Sequence, residues 1–290
     1  MILAACAQAI VSVIIKSIAS STNISIQVAF YYIVPALAFL PIIFKNGIAV
    51  YKTRKFLVHF IRGILSISSV CCFFYSVKYI PLGMSTTLFN MIPFFVPIIA
   101  NFTLKEKISF KTYLGLCAAL PGVLLIINPK FSSFSIIHFI VGLSAAVLMA
   151  GSMVLLKYLT REKESINQVV FHQYSSCSLI AILLVGLEAV LNPHSFEFTA
   201  LHMSITTIFL LLGLGLLSIG IQYCFSKAAQ RLPVSQLAPF LYLSVPISTM
   251  LGFLLWDQSL SLNMTIGSSL IFAGLCICSL GMGKSLRRSV

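Results

Sequence analysis

Charge is what this sequence has least of. Only 9% of its 290 residues are Asp, Glu, Lys or Arg, where a soluble domain carries about 25%. Such a chain cannot build a polar surface large enough to stay in water. The acidic residues are fewest: Glu106, Glu162, Glu164, Glu188, Glu197 and Asp257, none at the centre of an apolar run. Metal-ligand spacing is absent among the eight cysteines. Cys71, Cys72, Cys276 and Cys278 lie inside apolar runs, where cysteine behaves as a small hydrophobe. No resident metal, disulfide or cofactor is implied. The scattered histidines and cysteines place no nucleophile beside a base, which disfavours an intramembrane enzyme. Rings of charge and a filter loop, the marks of a channel, are also missing. The opening run MILAACAQAIVSVIIK has no basic segment before it, so it is expected to be a first membrane helix and not a cleaved signal peptide.

What is present is apolar length. Hydrophobic residues make up 59% of the chain and mean hydropathy is +1.04. A bilayer-spanning helix needs about 20 such residues. Ten spans are predicted, at about 2–19, 26–44, 57–77, 82–103, 112–127, 136–156, 168–188, 205–226, 234–255 and 263–282. The fold class is an all-α polytopic membrane protein, with the lipid bilayer as its solvent.

The formal charge of +13 would suggest nucleic acid in a soluble protein. Here the cations sit in short loops and alternate. Lys45, Lys52, Arg54 and Lys55 follow span 2; Lys105, Lys107 and Lys111 follow span 4. Lys157, Arg161 and Lys163 follow span 6, Lys227 and Arg231 follow span 8, and Lys284, Arg287 and Arg288 close the chain. The opposite loops hold only Lys16, Lys78 and Lys130, and Arg62 falls just inside span 3. Short cytoplasmic loops collect Lys and Arg, so both termini are expected in the cytoplasm and no nucleic acid is expected as partner. No motif fixes an oligomeric state.

The run FFYSVKYIPLGMSTTLFNMIPFFVPIIANFTLKEKISFKTYLGLCAALPGVLLII, from Phe73, recurs degenerately 152 residues later. Phe73 falls on Phe225, Pro81 on Pro233, Ser109 on Ser261, Gly115 on Gly267 and Gly122 on Gly274. Upstream the offset is 141: Lys16 falls on Lys157, Gln27 on Gln168, Val28 on Val169 and Phe30 on Phe171. The loop 189–204 accommodates the extra residues. The chain thus divides into 1–130 and 131–290, each with five spans. Five is odd, so the second half enters the membrane upside down. Inverted repeats are a transporter architecture, with a small-molecule site near the midplane between them.

Polar side chains in hydrocarbon need a partner or a cavity. Span 4 aligns Thr86, Asn90, Pro93, Pro97 and Asn101 on one face; span 9 aligns Ser235, Pro239, Tyr242, Pro246 and Thr249. Asn90 and Tyr242 are repeat mates, as are Ser66 and Ser218, and Tyr32 and Gln173; Gln222 lies one turn after Ser218. Two uses fit them. They either line a shared cavity between spans 3, 4, 8 and 9, with spans 2 and 7 beside it, or hold helices together at about 0.6 kcal/mol per bond. The prolines Pro93, Pro97, Pro239 and Pro246 free carbonyls and bend helices, which suits hinges. His172 beside Gln173 either lines the cavity or bonds to a neighbouring helix, and the other histidines sit at helix ends or in loops. Without a central carboxylate there is no proton relay, which favours facilitated diffusion or exchange. A cationic substrate would lean on Tyr and Phe faces instead.

The stretch FYSVKYIPLGMSTTLFNMIPFFVPIIANFTLKEKIS with GLCAALPGVLLI, and its second copy VSQLAPFLYLSVPISTMLGFLLWDQSLS with GSSLIFAGL, resemble the EamA-type domain of the drug/metabolite transporter superfamily. The resemblance implies a ten-helix inverted-repeat carrier of small organic metabolites in a bacterial inner membrane, not an enzyme. Two departures stand out. The family's glutamate is present as Glu106, but its mate is Gln258, beside Asp257; and Tyr31 and Tyr32 stand in span 2 where many members carry arginine. The second departure counts against an anionic substrate. The run QVAFYYIVPALAFLP is similar to S-adenosylmethionine carriers of obligate intracellular bacteria. That likeness implies uptake of S-adenosylmethionine by antiport against S-adenosylhomocysteine. A broad exporter of amino acids or related metabolites is the other expectation.

Overall fold

The structure is a computed structural model, and it describes residues 2–47, 51–105, 110–127, 136–193, 203–232 and 237–256, with isolated helical residues between 262 and 277. The helices are α1 (Ile2–Ile18), α2 (Ile24–Ala38), α3 (Leu40–Asn46), α4 (Phe56–Tyr79), α5 (Leu82–Phe89), α6 (Ile92–Leu104), α7 (Phe110–Ile127), α8 (Ile136–Arg161), α9 (Ile166–Leu191), α10 (Ile205–Arg231) and α11 (Ser244–Trp256), with a 3₁₀ segment at Ala238–Leu243. No strand occurs among the described residues. Among the described residues six stretches are long and apolar enough to cross a membrane: Ile24–Lys45, Phe56–Tyr79, Leu82–Leu104, Ile136–Arg161, Ile166–Leu191 and Ile205–Arg231. Ile2–Ile18, Tyr113–Gly122 and Phe240–Trp256 are shorter apolar helices. The tenth predicted span falls largely outside the described residues, as do Glu106, Asp257 and Gln258.

Several helices run past the apolar band. α8 continues through Lys157 to Arg161 and α10 through Lys227 to Arg231, because a helix stops at its caps and not at the hydrocarbon edge. α9 begins at a capping box: Ser165 Oγ accepts from Gln168 N at 3.2 Å, and Gln168 Oε1 accepts from Ser165 N at 2.9 Å.

Three predicted spans are interrupted. Span 2 breaks at Phe39, between α2 and α3, one turn after Pro35. Pro35 lacks the N–H that would bond the Tyr31 carbonyl, and Ser218 Oγ donates to that carbonyl at 3.0 Å instead. Span 4 breaks at Asn90 and Met91, and Pro93 opens the second piece. Span 9 changes from 3₁₀ to α between Leu243 and Ser244. Met91 and Leu243 stand 152 residues apart, so the two interruptions coincide in the repeat.

The packing comes in matched pairs. α4 lies on α8, and α10 lies on α1; α4 lies on α9, and α10 lies on α2; α5 and α6 lie on α8, and the 3₁₀ segment and α11 lie on α1. α4 and α8 run antiparallel, since Ser69 Oγ donates to Ala145 O at 2.6 Å and Ser152 Oγ to Arg62 O at 3.4 Å. Small residues set these approaches, as expected where lipid removes the hydrophobic drive between helices. A Cβ on Gly63 would stand 2.9 Å from Ser176 Cβ, and one on its mate Gly215 2.7 Å from the Phe30 carbonyl oxygen.

Polar contacts repeat as well. Lys16 Nζ donates to Val77 O at 3.1 Å, at the C-terminal end of α4. Lys157 Nζ donates to Ala229 O at 2.6 Å and Leu232 O at 2.9 Å, at the end of α10. Lys16 and Lys157 are mates at one offset and Val77 and Ala229 at the other. Each lysine satisfies orphan carbonyls and meets the negative end of a helix dipole.

Candidate functional site

Between the two halves lies a cavity with polar and aromatic walls. α2 contributes Tyr31 and Tyr32, and α4 contributes Arg62, Ser66, Phe73 and Phe74. Gln173 and Tyr174 come from α9, and Gln222 and Phe225 from α10. α1 adds Gln8 and Val11, and α8 adds Met149 and Ser152, so these two helices line the cavity beside those expected from the sequence.

The lining follows the repeat. Phe73 and its mate Phe225 both line the cavity, as do Phe89 and Leu241, and Tyr32 and Gln173. Gln8 has Met149 as its mate, Val11 has Ser152, and Val70 has Gln222. Tyrosines of α2 and α9 make matching bonds: Tyr32 Oη and Ser66 Oγ share a hydrogen bond of 3.0 Å, and Tyr174 Oη donates to Ser218 Oγ at 3.2 Å.

Arg62 is the residue that sequence reasoning missed. It was placed at the flank of span 3, yet it is 2% exposed and lies well inside α4. Its Nη1 donates to Val169 O at 3.2 Å, and among the described residues its Nε has no partner. Neither the Lys55–Glu162 ion pair nor the His59–Glu164 contact among those residues involves it. A buried ion without a counter-charge costs several kcal/mol, so a cation here stands out from ordinary packing. The signal was available: an arginine inside an apolar span faces a cavity or partner, not lipid.

Of the predicted site residues, Tyr32, Ser66, Gln173 and Gln222 come together on the cavity wall. Asn90, Ser218 and Tyr242 lie outside it. Ser218 turns to Tyr174 and to the Tyr31 carbonyl. Asn90 sits at the break in span 4, where Nδ2 donates to Thr86 O at 2.6 Å and to Ser244 Oγ at 2.9 Å. Ser244 opens α11, so this bond joins the two interrupted spans at their breaks. Tyr242 is buried beside Leu88, Leu116 and Val245, with Phe94 edge-on at 6.1 Å. Pro93 is buried at the start of α6 and Pro97 within it, and Pro246 is half-buried in α11. Pro239 starts the 3₁₀ segment, and its side chain lies outside the described residues. Ser235 is outside them too, and Asn101 is exposed, so the polar face of span 4 does not reach its end.

His172 does not line the cavity. Its Nε2 meets Tyr51 O at 2.7 Å, and its ring packs 4.6 Å from His59. His59, expected to need no account, is 1% exposed and faces Glu164 at 3.8 Å. Around them the cation-rich end ties the halves together. Thr53 Oγ1 donates to Glu164, Gln168 Nε2 donates to Lys52 O at 3.2 Å, and Lys55 pairs with Glu162 at 3.0 Å. The bond to Glu162 raises Lys55 above the ordinary lysine value.

The model of the EamA-like transporter family matches residues 1–128 and 136–280. A riboflavin transporter of Brucella anthropi is 28% identical over 279 residues, spanning 93% of this chain and 94% of that protein. A pseudopaline exporter of Pseudomonas aeruginosa is 27% identical over 75% of this chain and 72% of its own. An S-adenosylmethionine uptake transporter of Rickettsia felis is 25% identical over 81% of this chain and 76% of its own. A solved crystal structure, at 16% identity, superposes with a TM-score of 0.72 over 96% of this chain and 95% of its own; that likeness concerns the fold alone.

Proposed function

Because the chain belongs to the EamA-like transporter family, and is thus a multi-pass membrane transporter of small metabolites, we propose that it is a ten-span carrier of two inverted repeats. It works by alternating access in a bacterial inner membrane, with both termini cytoplasmic. S-adenosylmethionine is its substrate, taken up in exchange for S-adenosylhomocysteine. Tyr32, Ser66, Gln173 and Gln222 face the substrate. Asn90, Tyr242 and Ser218 belong to the frame that moves, with Pro93, Pro97, Pro239 and Pro246 at its bends. Nothing in this scheme calls for catalysis.

The observation that carries this reading is the aromatic-walled cavity between the repeats. Tyr31, Tyr32, Phe73, Phe74, Phe89, Tyr174 and Phe225 line it. An adenine stacks on such faces, and a sulfonium is attracted to them by about 0.5–2 kcal/mol per ring. The Rickettsia relative is named for uptake of this compound. The matched packing of the halves supports the inverted repeat, and coincident breaks in spans 4 and 9 suit a carrier whose discontinuous helices meet near the site.

Cells expressing the protein are expected to accumulate labelled S-adenosylmethionine, and to release it faster when unlabelled S-adenosylhomocysteine is outside. Absence of both uptake and trans-stimulation overturns this substrate. Raised resistance to amino-acid analogues without uptake would turn the reading to an exporter, and uptake of labelled riboflavin would turn it to a flavin carrier.

A further inference from the structure

Among the described residues, two buried polar atoms on the cavity lining have no partner: Arg62 Nε, a donor on a cation, and Gln173 Oε1, an acceptor. Their neighbours are engaged. Tyr32 bonds Ser66, Tyr174 bonds Ser218, Ser152 bonds the Arg62 carbonyl, and Gln222 Nε2 donates to Ser226 Oγ at 3.4 Å. The two residues stand on helices that pack together, α4 and α9. The carbonyl that Arg62 uses belongs to Val169, one helical turn before Gln173 on α9. Gln173 spends its own Nε2 on Cys177 Sγ at 3.5 Å, which leaves the oxygen for another donor.

We propose that this pair is a clamp for the α-amino-acid end of the substrate, with a carboxylate on the Arg62 guanidinium and an ammonium on the Gln173 amide oxygen. A guanidinium presents a planar fork that matches a carboxylate. An amide oxygen accepts and never donates, so it selects N–H groups. A phosphate would set further acceptors against Gln173 Oε1, and an amine without a carboxylate would meet the cation of Arg62. A zwitterion satisfies both.

The clamp rests on the carrier reading above, and two measurements separate their failures. The first is binding to purified full-length protein in detergent, read as thermal stabilisation by S-adenosylmethionine, L-methionine and 5′-methylthioadenosine, the last lacking the amino-acid end. Wild type is expected to respond to the first two and at least tenfold more weakly to the third. Arg62→Met is expected to lose tenfold or more in affinity for S-adenosylmethionine while its own melting temperature holds or rises, since a purely structural ion would lower it. Arg62→Lys is expected to fall between, and Gln173→Leu to weaken both amino-acid probes alike. Equal affinity in Arg62→Met, equal binding of 5′-methylthioadenosine, or no response to either amino-acid probe overturns the clamp. The second is uptake of labelled S-adenosylmethionine into proteoliposomes. Binding without uptake sinks the carrier reading and leaves the clamp; uptake by Arg62→Met at an unchanged KM sinks the clamp and leaves the carrier.

Discussion

The two halves of the cavity wall share positions and differ in chemistry. Among the lining residues Gln8 has Met149 as its mate, Ser152 has Val11, and Gln222 has Val70. Arg62 has the fully buried Leu214 as its mate. The frame around them is kept alike: the lysine caps, the tyrosine–serine braces, the close glycines and the broken spans recur. On the proposed two-repeat reading, duplication accounts for the scaffold, and the proposed site lies where the copies differ. A two-faced wall suits an asymmetric ligand, with its charged end against α4 and α9 and its planar end against the aromatic rings.

The sharpest way to break that comparison is to force symmetry. Leu214→Arg gives the second half the cation of the first, at a place that is 0% exposed. A buried unpaired charge costs about 3–5 kcal/mol, so loss of folded protein is expected, read as the monodisperse fraction in size-exclusion chromatography; normal yield would mean that the halves are interchangeable here. Next come the glycines. Gly215→Ala drives a Cβ to 2.6 Å from Val34 Cβ and 2.7 Å from a backbone oxygen, whereas Gly63→Ala meets only Ser176 Cβ below 3 Å. Overpacking costs about 1–3 kcal/mol, and the melting temperature of Gly215→Ala is expected to fall further than that of Gly63→Ala. Equal falls would show the two approaches to be equally tight.

Asn90→Ala tests a second contrast, between the cavity and the crossing of the broken spans. It removes the bond to Ser244, worth about 0.6 kcal/mol in a bilayer, and Asn90 does not itself line the cavity. Severalfold slower exchange at an unchanged KM is expected; a raised KM would move Asn90 into the site.

The spans and the repeat were legible because hydropathy and chain register are local properties. Lys16 with Lys157, and Ser66 with Ser218, could be paired by arithmetic alone. Which member of a pair faces the cavity could not. Ser218 is drawn away by a carbonyl that Pro35 frees on another helix, and Ser66 is not. Arg62 falls just inside span 3 on the cation-rich side, where an arginine reads as one more interfacial charge; its burial among α4, α8 and α9 is a matter of tertiary packing that hydropathy does not report. The breaks in spans 4 and 9 were also hidden. Proline is compatible with the first turn of a helix, so a proline signals a bend but not an interruption.

The smallest expected effect lies in the lysine caps, and it bears on how alike the frame is. Lys157 satisfies two carbonyls and Lys16 one, in each case at the end of the third span of its own half. A cation at a helix C-terminus contributes about 0.3–1 kcal/mol. Lys157→Met is therefore expected to lower the melting temperature slightly more than Lys16→Met, with neither changing KM, because neither lines the cavity. If the two caps serve only their own helices, the double variant loses the sum of the single losses. A loss larger than that sum would mean that the two halves communicate through the ends of α4 and α10. The frame would then be one mechanical unit and not two copies laid side by side.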